Sequence, residues 1–287
     1  MSTITADATT VRRAPSGIPA RVRQSVRDSL LVARRNVVTL TRVPAVFIFE
    51  LVQPIMFVLL FVFIYANQLA TLPLGLDYVQ FLMPGIFIQN ALFGSTNTAI
   101  GLAEDFKTGV IDRFRSLPMA RSAVVAGRTT SDVIKNGLLL TIVIGVGYLV
   151  GFRFMNGFVN AIAMYALVLA VGFTFSWISA CIGLSLKSVE AVQAASFTWI
   201  FPVVFVSSAF VPVAGMASFL QPIAEANPVT VWCNLARYLA NGPAGILDAT
   251  GQPVDTYEAL VVKSVLWIAG LLIVFIPLAV RLYRKLN

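Results

Sequence analysis

The side chains able to do polar chemistry in this chain are few, and most fall in one place. Of 287 residues 58% are hydrophobic and 12% charged, yet Glu104 to Asn136 reads EDFKTGVIDRFRSLPMARSAVVAGRTTSDVIKN, the one long polar interruption. Glu104 and Asp105 open it and Arg113 and Arg115 close its first half, the order that complements a helix dipole. Pro118 ends that predicted helix. Phe106, Val110, Phe114 and Leu117 recur at helical spacing, so one face is apolar while Lys107, Asp112 and Arg115 point elsewhere. A short helix of this kind must bury its apolar face, either among lipid headgroups or in a partner protein.

Catalytic chemistry is poorly supplied. The chain has no histidine, which removes the commonest general base and proton shuttle. A Walker A phosphate loop needs Gly-Lys before Ser or Thr, and no lysine here follows a glycine. The chain reads as no enzyme, and any ATP that drives it binds elsewhere. Cys181 lies in an apolar run and Cys233 in a later polar-edged segment, a pattern that supports neither a metal site nor a disulfide framework. The net charge of +8 follows the membrane rather than a basic face interleaved with aromatics, so no nucleic-acid partner is expected.

The elements that must position the polar segment are membrane spans. The composition predicts an all-α integral membrane protein. Residues 1–20 carry no apolar core and read as a disordered cytoplasmic arm rather than a signal peptide. From Arg21 to Arg42, Val22, Val26, Leu30, Val37 and Leu40 alternate with arginines, predicting a basic amphipathic helix on the membrane surface. The transmembrane domain covers 21–287, this helix included, with six spans at about 43–65, 78–102, 122–152, 158–186, 191–212 and 257–282. Before the last span, two short helical pieces near 214–226 and 229–239 predict a re-entrant or interfacial pair on the outer side, with Trp232 and Tyr238 at headgroup depth.

Within the spans, Glu50 lies about two turns inside Arg42, where snorkelling, a helix partner or a proton-relay role would each account for it. Gln53-Pro54 predicts a kink or packing contact. Asn90, Gly94, Asn97 and Gly101 make a small-and-polar stripe, read as a packing seam or part of a substrate pathway, and Gly147 with Gly151 a small-xxx-small pair, read as packing. Thr174, Ser176 and Ser179 are placed to bond back to their own helix. Ser207 and Ser208 supply hydroxyls either to a pathway or to interhelical bonds. Arg128 and Asp132, four apart, pair along one helix face in a structural role. Lysine and arginine gather before span one, after span two, after span four and after span six, placing both termini on the cytoplasmic side.

Glu104-Asp105, Gly109, Ile111-Asp112-Arg113-Phe114-Arg115-Ser116-Leu117-Pro118-Met119, Gly127-Arg128, Asp132 and Asn136 together resemble the signature of type-2 ABC exporter permeases, the daunorubicin/doxorubicin-resistance type in particular. Asn227-Pro228-Val229-Thr230 and Arg237 to Gly242 are similar to that family's segment before its last span. The resemblance implies that the helix at 21–42 is an elbow helix and that the polar segment is a cytoplasmic coupling helix seated in a separate ABC ATPase subunit. It implies two permease subunits, identical or related, in the cytoplasmic membrane, with ATP and magnesium held by the ATPase. The expected cargo is amphipathic or hydrophobic: a drug, a lipid or a polyketide. The alternative class is a secondary transporter or channel driven by an ion gradient, for which Glu50 is the candidate acid.

Overall fold

A thirty-residue helix, polar along much of its length, forms the centre of the bundle. The computed structural model describes residues 44–65, 76–109, 121–186, 188–247 and 252–285. The arm, the expected elbow helix and residues 110–120 lie outside them. In chain order the helices are α1 Pro44–Leu60, α2 Tyr78–Lys107, α3 Arg121–Leu149, α4 Gly157–Leu186, α5 Val189–Phe205, α6 Gln221–Ala226, α7 Pro228–Asn241 and α8 Tyr257–Lys285. A five-residue π turn, Phe61–Tyr65, prolongs α1, and 3-10 turns stand at Val213–Gly215 and Gly242–Ile246. Among the described residues extended pairing is limited to one bridge, Leu247 with Pro253.

The central helix is α2, buried without interruption from Phe81 to Gln89 and packed on α3, α4, α5 and α7. Its polar residues find partners inside the bundle. Ser95 gives its proton to the Leu92 carbonyl (2.6 Å), leaving its oxygen for Ser179 of α4 at 3.2 Å. Small residues let the two backbones close: a Cβ added at Gly183 would sit 2.5 Å from the Ala99 carbonyl oxygen. Ser179 thus reaches across to α2, whereas Thr174 and Ser176 bond back to Ala170 and Gly172.

Three helices among the described residues are long and apolar enough to cross a membrane: Ala126–Leu149, Gly157–Leu186 and Tyr257–Tyr283. α8 packs on α4 and leaves Val262, Val265, Leu266, Ile273 and Val274 exposed, a face suited to hydrocarbon rather than water. α1 and α5 are apolar but shorter, about 25 Å each at 1.5 Å per residue. α2 matches the others in length, but its internal polar residues lower its apolar character.

Several expectations need correction. α5 stops at Phe205, short of residue 212, and turns take over from Val206 to Phe210. Gly151 lies beyond the end of α3 with φ +105° and nothing against it, so it serves the turn into α4; Gly147 alone packs, against Met83 and Phe152. Trp232 faces protein rather than lipid: it is fully buried, edge-on to Phe175 at 5.6 Å. Tyr238 is half-buried and stacks on Tyr257 at 4.6 Å.

Candidate functional site

The polar segment begins as the last turn of α2 rather than as a separate helix. α2 carries Glu104, Asp105 and Phe106 through to Lys107, and the Thr108 backbone N–H and hydroxyl both donate to the Glu104 carbonyl. Gly109 then takes φ +69°, a left-handed conformation that glycine tolerates and that ends the helix. Phe106 therefore lies on α2 itself, before the break at Gly109. Phe106 packs inward against a buried cluster that includes Leu102, Trp177 and Ala180. Glu104 is exposed, while Asp105 is half-buried and faces α3. Val110, Ile111, Asp112, Arg113, Phe114, Arg115, Leu117 and Pro118 lie outside the described residues.

Behind this turn α2 and α3 bury a group of charges. Arg128 lies 3.9 Å from Asp105 and 3.6 Å from Asp132, and one of its terminal nitrogens donates to the Asn97 carbonyl at 3.2 Å. Thr98 donates to the same carboxylate oxygen of Asp132. The arginine can lie across α2 only because residue 101 is glycine: a Cβ there would fall 1.6 Å from its terminal nitrogen. Seven residues earlier on α2, Gly94 leaves room for the Asn136 side chain in the same way. Asp132 is buried, so the weak energetics of an exposed helix pair do not apply to it.

One turn along α3, Lys135 donates to Glu50 of α1 at 2.6 Å. The other carboxylate oxygen of Glu50 is buried with no hydrogen-bond partner among the described residues. Gln53 and Asn90 are half-buried, and no hydrogen bond from either side chain joins this group. Arg128, Asp132, Lys135 and Asn136 thus form one polar, largely buried face on the first half of an otherwise apolar helix. Their spacing of four, three and one is the available sequence signal for Lys135, the residue that the sequence reading left without a role. The described residues contain no group of three or more metal-ligating side chains. The arrangement ties α1, α2 and α3 together through charged side chains.

Ser207 and Ser208 are at the opposite end of α2, both buried. Ser207 donates to Val204, and Ser208 donates to Asn234 of α7 at 3.2 Å. Beside them is a second residue whose importance the sequence did not reveal. Arg237, named in the sequence only as the start of a segment similar to the family's stretch before its last span, is fully enclosed. Its Nε donates to the Phe81 carbonyl (2.8 Å), one terminal nitrogen to Ser208 Oγ and Asn234 Oδ1 (3.0 and 3.1 Å), and the other to the carbonyls of Ser208 and Ala209.

Apolar helices, an enclosed polar centre and buried charge pairs together define a multi-pass membrane protein. The chain belongs to the ABC-2 type transporter family, whose profile matches residues 28–240. It is 32% identical over 270 residues to a daunorubicin resistance ABC transporter permease protein of Streptomyces coeruleorubidus, covering 94% of this chain and 90% of that one. It is 24% identical over 292 residues to a protein of Mycobacterium tuberculosis named "Probable doxorubicin resistance ABC transporter permease protein", covering 98% of each.

Proposed function

We propose that this chain is the membrane-spanning subunit of an ATP-driven exporter in the cytoplasmic membrane, moving an amphipathic or hydrophobic molecule outward. Family membership carries the reading, with a full-length relative named for daunorubicin resistance. In this account the chain crosses the membrane six times, with both termini and the 104–120 segment on the cytoplasmic side and an elbow helix near residues 21–42. A cytoplasmic ABC ATPase binds ATP and magnesium and docks on Val110 to Pro118. A second permease subunit, identical or related, completes the pathway, and lipid surrounds the pair.

The charge group gives docking a mechanical consequence. Force applied to the segment between Gly109 and Arg121 enters α2 and α3 together, because Asp105, Arg128 and Asp132 join those helices at the point of entry. The pair Lys135–Glu50 carries it on to α1.

The test is ATP hydrolysis by the candidate ATPase co-purified with this chain, comparing wild type with Phe114→Asp. A membrane-inserted mutant that no longer retains the ATPase, or whose hydrolysis no longer drives transport, supports the proposal. Failure of any ATPase to associate, with transport following an ion gradient and depending on Glu50, replaces it with a secondary transporter.

A further inference from the structure

The early end of α5 creates a problem that three other elements solve. A helix C-terminus leaves carbonyls without partners and carries partial negative charge. Here the carbonyls of Val203 and Val206 accept from Asn227 Nδ2 at 2.7 and 2.6 Å, and that of Phe210 from the Tyr78 hydroxyl at 3.1 Å. Those of Ser208 and Ala209 accept from Arg237. A Cβ at Gly85 would strike the Ala209 carbonyl oxygen at 1.9 Å, so α2 lies directly against this turn.

Arg237 is the centre of the arrangement. A guanidinium has five N–H donors, and five acceptors meet it: three carbonyls, the Ser208 hydroxyl and the Asn234 amide oxygen. It also lies 3.6 Å from the centre of the Phe81 ring. No carboxylate pairs with it among the described residues, so oriented dipoles balance a fully buried charge. A carboxylate would attract the arginine across a range of positions. Carbonyl dipoles from α2 and from the turn after α5 do so only when both lie against α7. Separating any one of them leaves the charge undersatisfied, which favours full release and hydration over partial movement.

We propose that Arg237 is the positioning residue of a latch that closes this end of the bundle, and that the latch opens in the transport cycle; the second half rests on the exporter reading above. Cys233, one turn before Arg237 on α7 and fully buried, is a native reporter of the opening. With Cys181→Ala the chain keeps that single thiol.

The experiment is the rate of Cys233 modification by N-ethylmaleimide in membrane vesicles. Without nucleotide, wild type reacts slowly. Arg237→Ala reacts at least about tenfold faster, the equivalent of one charged hydrogen bond lost. Arg237→Lys falls between, since an ammonium lacks the planar fork. Tyr78→Phe, which loses the bond to Phe210, gives a smaller acceleration and serves if Arg237→Ala fails to insert. Wild-type rates in both Arg237→Lys and Tyr78→Phe overturn the latch. The second arm adds Mg-ATP to wild-type vesicles carrying the ATPase, with hydrolysis followed in the same sample. Faster modification during hydrolysis is the expected result, and hydrolysis with unchanged modification overturns opening in the cycle. If no hydrolysis depends on this chain, the exporter reading fails while the first arm still decides the latch.

Discussion

Arg128 serves two carboxylates and a backbone carbonyl in a place where water is scarce. Removing it leaves Asp132 buried and charged, supported among the described residues by the Thr98 hydroxyl and the charge of Lys135. Arg128→Met is expected to destabilise the protein toward the lower end of about 3–5 kcal/mol, since the arginine is partly exposed. Adding Asp132→Asn should recover part of that loss, as read by thermal unfolding in detergent. No recovery would place the stabilisation outside the pair. Glu50 and Lys135 invite the same treatment. Glu50→Gln and Lys135→Met should each destabilise, and the double variant should show a coupling of about 0.5–3 kcal/mol. Additive losses would mean that the 2.6 Å contact contributes little. The Arg128–Asp132 pair was legible because its partners are four residues apart on a helix. Glu50 was legible only as an intramembrane acid, since its partner lies 85 residues away and no local pattern joins them. Arg237 was misjudged for a related reason: its acceptors are mostly backbone carbonyls, which no side-chain pattern announces.

Among the helices, α2 tests how closely this bundle packs. Gly183 of α4 meets the backbone of Ala99, which cannot swing aside, so Gly183→Leu should separate α2 from α4 and yield a protein that aggregates on extraction. Gly145 of α3 has nothing within 4 Å, and Gly145→Ala should be neutral or stabilise by up to about 1 kcal/mol, the helix-propensity difference. Equal behaviour of the two variants in size-exclusion profiles and unfolding temperature would contradict this packing. Apolar runs made α4 and α8 easy to read from the sequence. The true end of α2 was harder, because its last turn is charged and looks like the start of something new; Gly109, not Glu104, marks the boundary. The stop of α5 at Phe205 was hidden for the opposite reason. The residues beyond it remain apolar, and the break depends on capping by Asn227, Arg237 and Tyr78 from distant parts of the chain.

Across the whole molecule, α2 connects two polar centres: a charge group beside the cytoplasmic segment of the proposed orientation and the Arg237 cage at its other end. An exporter needs such a connection, because the step that consumes ATP and the step that releases cargo occur on opposite sides of a membrane. Family membership supplies the class, and the charge group supplies a route by which docking would move α1, α2 and α3 together. The most direct test is transport of a fluorescent amphipathic dye into inverted vesicles containing this chain and its ATPase, with ATP as the only energy source and ionophores present to collapse ion gradients. The account predicts uptake that persists with ionophores, stops without ATP and is lost in Phe114→Asp. Uptake abolished by ionophores while ATP remains, and lost in Glu50→Gln but not in Phe114→Asp, would contradict it.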